Sequence, residues 1–131
     1  MKIVLCNGCF DPFHWGHLQH LKQAKAMGDR LVVAVTRAGY VNKGYGRPVF
    51  SDEQRVEVMV SLRLVDYVFL VCDSLEALQK VKPDIFCKGA EYRGHIRKDH
   101  SAYCKANGIK IRFTRGKTYS STELLNATRR G

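Results

Sequence analysis

The sequence predicts an α/β domain in which a doubly wound, five-stranded parallel sheet carries helices on both faces. Three observations predict it. Short runs rich in β-branched residues, such as residues 31–36 (LVVAVT), alternate along the chain with segments of helical spacing. These runs are apolar throughout instead of alternating polar and apolar, which is the pattern of strands buried on both faces. Turn residues and helix-capping pairs punctuate the junctions between them.

The elements follow in order. Residues 2–7 read as a first strand ending at Gly8, and residues 16–27 set Leu18, Leu21, Ala24 and Met27 at helical spacing until Gly28 stops the helix. Residues 31–36 give the second strand. From Arg37 to Phe50 the pattern dissolves into Gly39, Gly44, Gly46 and Pro48 with Lys43 and Arg47 among them, a basic loop. Ser51 with Gln54 forms a capping box for a helix carried toward Leu64. Residues 66–72 (DYVFLVC) are a third strand, and Asp73 with Glu76 is a second capping box, opening a helix over 74–81 that Pro83 closes. Residues 84–88 (DIFCK) are the fourth strand, followed by a polar, irregular stretch to about Asp99. A helix over about 100–107 ends at Gly108, residues 109–114 (IKIRFT) form the fifth strand, and Ser120 with Glu123 caps a last helix through Leu124 and Leu125. The whole reads as one Rossmann-like domain over residues 1–131, with ligands expected beyond the carboxyl ends of the strands.

Composition narrows the function. With 131 residues, 45% hydrophobic and 26% charged, the chain has enough apolar material for one folded core. No apolar run approaches the roughly 18 residues of a membrane span, and the N-terminus is too short in apolar residues for a signal peptide, so neither a membrane helix nor export is expected. Five cysteines, an odd number scattered along the chain, point to reduced thiols in a cytoplasm. The net charge of +10 favours anionic partners. Runs of Lys and Arg are no longer than two residues, as at Arg129-Arg130, and aromatics are not interleaved with them. A nucleic acid or membrane surface is therefore not the expected partner; a small phosphorylated molecule is.

The segments after strands one, two, four and five (residues 8–17, 37–50, 89–99 and 115–121) lie at one end of a parallel sheet. They hold His14, His17 and His95 with glycines, basic residues and hydroxyls, a set suited to a nucleoside triphosphate. The sharpest item is His14-Trp15-Gly16-His17 at a helix start. There the neutral imidazole is favoured and donates N–H to phosphate, the helix dipole attracts the anion, and Gly16 admits a phosphate close to the backbone. Taken alone, the pair reads better as two ordinary polar residues at a helix start. Cys6-x-x-Cys9 near His14, His17 and His20 raises a zinc reading. It is set aside because Cys6 belongs to a buried strand, a partner Cys-x-x-Cys is missing, and a metal would consume the histidines; no protein-held metal is expected. A redox pair is disfavoured as well, since Cys6 precedes the helix that would stabilise a thiolate.

Asn7-Gly8-Cys9-Phe10-Asp11 followed by His14-Trp15-Gly16-His17 resembles the N-terminal signature of the cytidylyltransferase-like nucleotidyltransferases. Lys43-Gly44, Arg47-Pro48-Val49, Gln54-Arg55, Val65-Asp66, Pro83-Asp84, Lys88-Gly89 with Glu91-Tyr92, and Ser120-Ser121-Thr122 follow in that family's order. The resemblance covers nearly the whole chain. It implies transfer of a nucleoside monophosphate from an NTP to a phosphorylated small molecule with release of pyrophosphate, by in-line attack and without a covalent enzyme intermediate.

The same resemblance implies the site. His14 and His17, with Lys43, are the expected catalytic residues, and Cys9, Phe10, Gly16, Lys88, Arg115, Ser120, Ser121 and Thr122 the expected NTP-binding ones. Asp11, Arg55 and Glu91 are expected to meet the acceptor. Three have a plainer alternative: a solvated lysine for Lys43, a surface salt bridge to Glu57 or Asp52 for Arg55, simple helix capping for Ser120. Mg²⁺ is expected to ride on the NTP phosphates, not in a protein cage. A homodimer is expected by resemblance.

Two subfamilies compete. Trp15 matches the glycerol-3-phosphate cytidylyltransferases, which use CTP. Lys88-Gly89-Ala90-Glu91-Tyr92 and the Lys-Gly-x-x-Arg-Pro-Val run from Lys43 look more like the adenylyltransferase domain of the ADP-heptose synthases, which joins ATP to a heptose 1-phosphate, and this reading is favoured. Trp15 and the short basic stretch from Arg93 to His100 depart from that group. A separate kinase is expected to supply the substrate. The alternative of another class is a non-catalytic nucleotide- or RNA-binding module, whose binding would fall steeply with salt.

Overall fold

A computed structural model describes residues 1–41, 44 and 46–116. Five parallel strands, β1 (Ile3–Gly8), β2 (Arg30–Thr36), β3 (Tyr67–Val71), β4 (Ile85–Lys88) and β5 (Lys110–Phe113), lie in the order β3-β2-β1-β4-β5. The helices are α1 (Trp15–Ala26), α2 (Asp52–Val60), α3 (Ser74–Val81) and α4 (Lys98–Ala106). Single 3₁₀ turns at Ala38–Tyr40 and Ala90–Tyr92 interrupt the segments expected to be irregular.

Because β1 is flanked by β2 on one side and β4 on the other, the strand order reverses there, the point at which open α/β sheets leave a crevice. Alternate residues supply the two faces. Val4, Cys6, Val33, Val35 and Cys87 pack with Leu21 and Ala24 of α1 and Met59 of α2. Leu5, Val32, Ala34, Val71 and Phe86 pack with Ala77 and Leu78 of α3 and Cys104 of α4. Continuous apolar runs were the signal for this two-sided burial, and the doubly wound sheet agrees with the expectation.

At the amino edge, three aspartates stitch the strands. Asp29 accepts from the Lys2 N–H at 2.7 Å, Asp66 from Leu31 at 2.8 Å and Asp84 from Ile3 at 2.8 Å. Asp66 and Asp84, part of the motif series, therefore lie at the end of the sheet away from the expected site.

Some boundaries differ from those expected. Helix α2 stops at Val60 instead of running toward Leu64, where Ser61 bonds the Glu57 carbonyl through both its N–H and hydroxyl and the chain turns through Leu62. The Ser51–Gln54 capping box forms as expected. At α3 half of the box forms: Asp73 accepts from the Glu76 N–H, but the Glu76 carboxylate reaches the Cys72 N–H. Helix α4 begins two residues earlier than expected, with Asp99 in its first turn accepting from the His100 N–H. The expected last helix from Ser120 lies outside the described residues.

Candidate active site

The turn from β1 into α1 is built around His14 and His17. His14 has an extended backbone (φ −142°) and caps α1, its Nδ1 accepting from the Gly16 N–H at 3.0 Å. His17, three residues on, returns the bond: its Nδ1 accepts from the His14 N–H at 3.3 Å. The four-residue motif is thus a capping box with imidazoles in place of the usual hydroxyl and carboxamide. Accepting at Nδ1 has a chemical consequence, because the neutral ring must then carry its proton on Nε2. Each ring's remaining N–H, on Nε2, lies beside the α1 amino terminus, that of His14 buried, where the helix field favours an anion.

The rings are held as well as protonated. His14 and His17 stack with centroids 3.9 Å apart, Phe13 stacks on His17 at 5.8 Å, and Phe10 meets His17 edge-on at 5.2 Å. Phe10 takes a positive φ of 52°, unusual for a residue with a side chain, and its buried ring lies beneath Gly8. A Cβ on Gly8 would stand 2.9 Å from that ring, so any side chain there would force the ring to shift.

Asp11 and Arg55, expected to contact substrate, are instead committed to the protein's own backbone. Asp11 is fully buried, and its carboxylate accepts from the N–H groups of Val49 (2.6 Å) and Phe50 (2.9 Å) and from Arg47 Nε (3.1 Å). Arg47 also donates to the Asp11 carbonyl. Burial pushes the Asp11 carboxyl up, but the two N–H groups and the guanidinium outweigh it and hold it below the usual carboxylate range. Arg55 is 1% exposed and donates to the carbonyls of Cys9 (3.1 Å), Thr36 (2.6 Å) and Phe50 (3.1 Å) and to Asp52. It ties the ends of β1 and β2 to the start of α2. The ion pair with Asp52 that sequence offered as the alternative exists, with the Arg55 side buried and Asp52 partly exposed.

Lys88, at the carboxyl end of β4, lies 4.1 Å from the centroid of the Tyr92 ring. Burial pushes its ammonium down, against the opposing pull of Cys6, Glu91 and Cys87. The Glu91 carboxylate folds back over Gly89, where a Cβ would stand 2.6 Å from both oxygens. Arg115 follows β5 and is exposed, and Gln23 of α1 anchors its backbone, accepting from the Arg115 N–H at 2.6 Å and donating to its carbonyl at 2.9 Å. Between α1 and this segment opens a cleft of about 320 Å³ lined by Trp15, Gly16, Gln19, His20, Gln23, Thr114, Arg115 and Gly116.

The structure thus gathers Cys9, Phe10, Asp11, His14, Gly16 and His17 at the end of β1, with Lys88 closing β4, Glu91 after it and Arg115 after β5. Lys43, Ser120, Ser121 and Thr122 lie outside the described residues. Sequence reasoning quoted Asn7 in the motif but gave it no role; it donates to the Ala34 carbonyl (2.9 Å) and Thr36 Oγ1 (3.2 Å) and accepts from Ser74 Oγ (2.5 Å) at the carboxyl end of the sheet. A polar residue closing an apolar strand is the signal that would have found it. It also passed over Gln19 and Gln23, whose spacing on α1 was overlooked in favour of the apolar stripe.

Among the described residues no helix is long and apolar enough to cross a membrane. A family model described as cytidylyltransferase-like matches residues 5–126. The bifunctional protein HldE of Pseudomonas fluorescens (strain Pf0-1) is 44% identical over 95 residues, which cover 70% of this chain and 20% of that protein. The HldE of Shewanella denitrificans is 43% identical over 96 residues with the same coverage. The chain therefore spans about a fifth of the length of these curated relatives. A crystal structure described as a lipopolysaccharide core biosynthesis protein from Thermoplasma volcanium superposes with a TM-score of 0.71 at 31% identity, covering 92% of this chain and 99% of that one. Pantothenate synthetase from Thermus thermophilus, at 12% identity and a TM-score of 0.64, covers 87% of this chain and 55% of that one and shares the fold.

Proposed function

We propose, from the premise that this chain belongs to the cytidylyltransferase-like family and is a nucleotidyltransferase, that it transfers AMP from ATP to a heptose 1-phosphate-like sugar phosphate. The observation that carries the chemistry is the reciprocal His14–His17 cap, which fixes two Nε2–H donors at a helix amino terminus. An oxygen of the acceptor phosphate attacks the α-phosphorus in line, the bond to the bridging oxygen breaks, and pyrophosphate leaves. His14 and His17 donate to the phosphate oxygens on which charge accumulates, and the packed rings do not need to reorganise to do so. Lys88 and Arg115 add positive charge beyond β4 and β5, and the cleft beside Trp15 and Gly16 receives the nucleoside. Lys43, Ser120, Ser121 and Thr122 are assigned to the triphosphate by family resemblance.

ATP and a sugar phosphate are preferred over CTP and glycerol 3-phosphate on two grounds. One is the identity with the HldE region; the other is the Lys88-Gly89-Ala90-Glu91-Tyr92 run. Mg²⁺ belongs with the NTP: the group of metal-ligating side chains among the described residues consists of thiols and an imidazole, which do not suit an oxygen-seeking cation. We place the protein in a reducing cytoplasm, where its five cysteines would stay reduced, and as a homodimer. A monomer in sedimentation would remove the dimer.

The test is pyrophosphate release with ATP and CTP in parallel, each against heptose 1-phosphate and glycerol 3-phosphate with Mg²⁺. Turnover in the ATP and heptose pair is expected. Turnover with CTP alone would make Trp15 the better guide to the nucleotide, and silence in all four with salt-sensitive RNA binding would favour the binding module.

A further inference from the structure

Cys6 of β1, Cys87 of β4 and His20 of α1 bring two thiols and a ring nitrogen within 4.8 Å of one another, and we propose that they form a binding site for one zinc ion. The register explains the convergence. Leu5 pairs with Phe86, so one step further along Cys6 stands beside Cys87, and both side chains belong to the core on the α1 side of the sheet. His20, one turn beyond His17, closes the group from the helix.

Zinc takes thiolate sulfur at about 2.3 Å and imidazole nitrogen at about 2.0–2.1 Å, so tetrahedral ligands stand about 3.5–3.8 Å apart. The side chains, within 4.8 Å of one another, need to draw together by at most about 1.3 Å. Binding releases the two thiol protons to solvent, and the resulting pair of thiolates cancels the charge of the ion, which suits a site with Cys6 and Cys87 buried. Burial favours the neutral form of His20, the form that ligates. Its Nδ1 lies 2.8 Å from Thr114 Oγ1, the kind of outer hydrogen bond that orients a metal-bound imidazole and fixes its tautomer. The other ring nitrogen would carry the lone pair.

An entry path exists. His20 and Thr114 line the 320 Å³ cleft, which gives the ion a way in and leaves room for water in the fourth position. Cys9 is not in the group, so this is a different set from the Cys-x-x-Cys pairing that the sequence suggests. The ion would pin β1, β4 and α1 together, its α1 ligand one helical turn from His17. The competing account is that Cys6 and Cys87 merely fill the core as small apolar side chains. Zinc binding here is independent of which nucleotide or acceptor the domain uses.

The experiment titrates the metal-stripped, reduced full chain with Zn²⁺ against a chromophoric chelator, with Co²⁺ as a spectroscopic substitute and Mg²⁺ as control. One equivalent of zinc, thiolate-to-cobalt charge-transfer absorption, and a rise in Tm with Zn²⁺ but not Mg²⁺ are expected. Cys87→Ala and His20→Gln should each weaken binding at least about tenfold, whereas Cys72→Ser should leave it unchanged. Should Cys87→Ala fail to fold, His20→Gln at its half-buried position decides. Absence of a bound equivalent in the unmodified protein, or an equivalent that survives His20→Gln undiminished, overturns the site.

Discussion

Replacing Arg55 by Met separates a substrate-binding role from the one its geometry supports. The side chain is 1% exposed and its guanidinium serves the carbonyls of Cys9, Thr36 and Phe50 together with Asp52. Met keeps much of the volume and removes every donor. Asp52 is 30% exposed and can turn to water, but carbonyls at the ends of β1 and β2 lose partners where solvent does not reach. Breaking a buried charge network of this kind costs on the order of 3–5 kcal/mol. For a domain of this length, that lowers Tm by about 12–20 °C. Thermal unfolding followed by circular dichroism, read beside steady-state kinetics with saturating and limiting acceptor, distinguishes the roles. A large loss of Tm is expected, with any activity loss tracking the folded fraction. An unchanged Tm with a raised KM for the acceptor would refute the reasoning and return Arg55 to the substrate.

Gly8→Ala puts a methyl 2.9 Å from the Phe10 ring, which packs on His17, so it should cost about 1–3 kcal/mol and reduce kcat by about tenfold or more; wild-type kinetics would show that the ring moves freely. Gln23→Ala removes both hydrogen bonds that hold the Arg115 backbone and should lower stability by about 1–2 kcal/mol while raising KM for the NTP, measured by initial rates. Asp11 predicts a pH effect. Its folded pKa lies below its unfolded one, so its contribution to stability is fully present above the unfolded value, about 3.9, and is lost as pH falls through the folded value. Denaturant unfolding from pH 7 to 2 should show stability falling across the acid range, and Asp11→Asn should be less stable at neutral pH with a shallower acid limb. Parallel acid limbs in the two proteins would contradict the assignment.

Much of the fold was legible because burial on both faces leaves a direct trace. Strands such as Leu31 to Val35 must be apolar at every position, and Ser51 with Gln54 must satisfy a helix end locally. The site was less legible. His14 and His17 stood out by type and spacing, but nothing in a single sequence shows that they cap the same helix reciprocally, since that depends on the extended backbone at His14. Asp11 and Arg55 misled because a charged side chain beside a motif looks the same whether it faces a ligand or three carbonyls. The distinction is one of burial, set by chain segments up to 46 residues apart. The thiol–imidazole cluster was only half legible: Cys6 and His20 entered a zinc reading, but with Cys9 in place of Cys87, because Cys6 and Cys87 meet only through the β1–β4 register. Lys88 and Glu91 followed from their place after a strand, which the parallel topology converts into a place at the crevice.

The most direct test of the central claim is the turnover of His17→Ala with ATP, Mg²⁺ and the sugar 1-phosphate, measured beside its Tm. Loss of one preorganised donor to the developing charge predicts a fall of about 3 kcal/mol in transition-state stabilisation, roughly a hundredfold or more in kcat. Loss of its bond to the His14 N–H predicts about 1 kcal/mol in stability, leaving the domain folded. A folded His17→Ala protein that turns over at the wild-type rate would contradict the account.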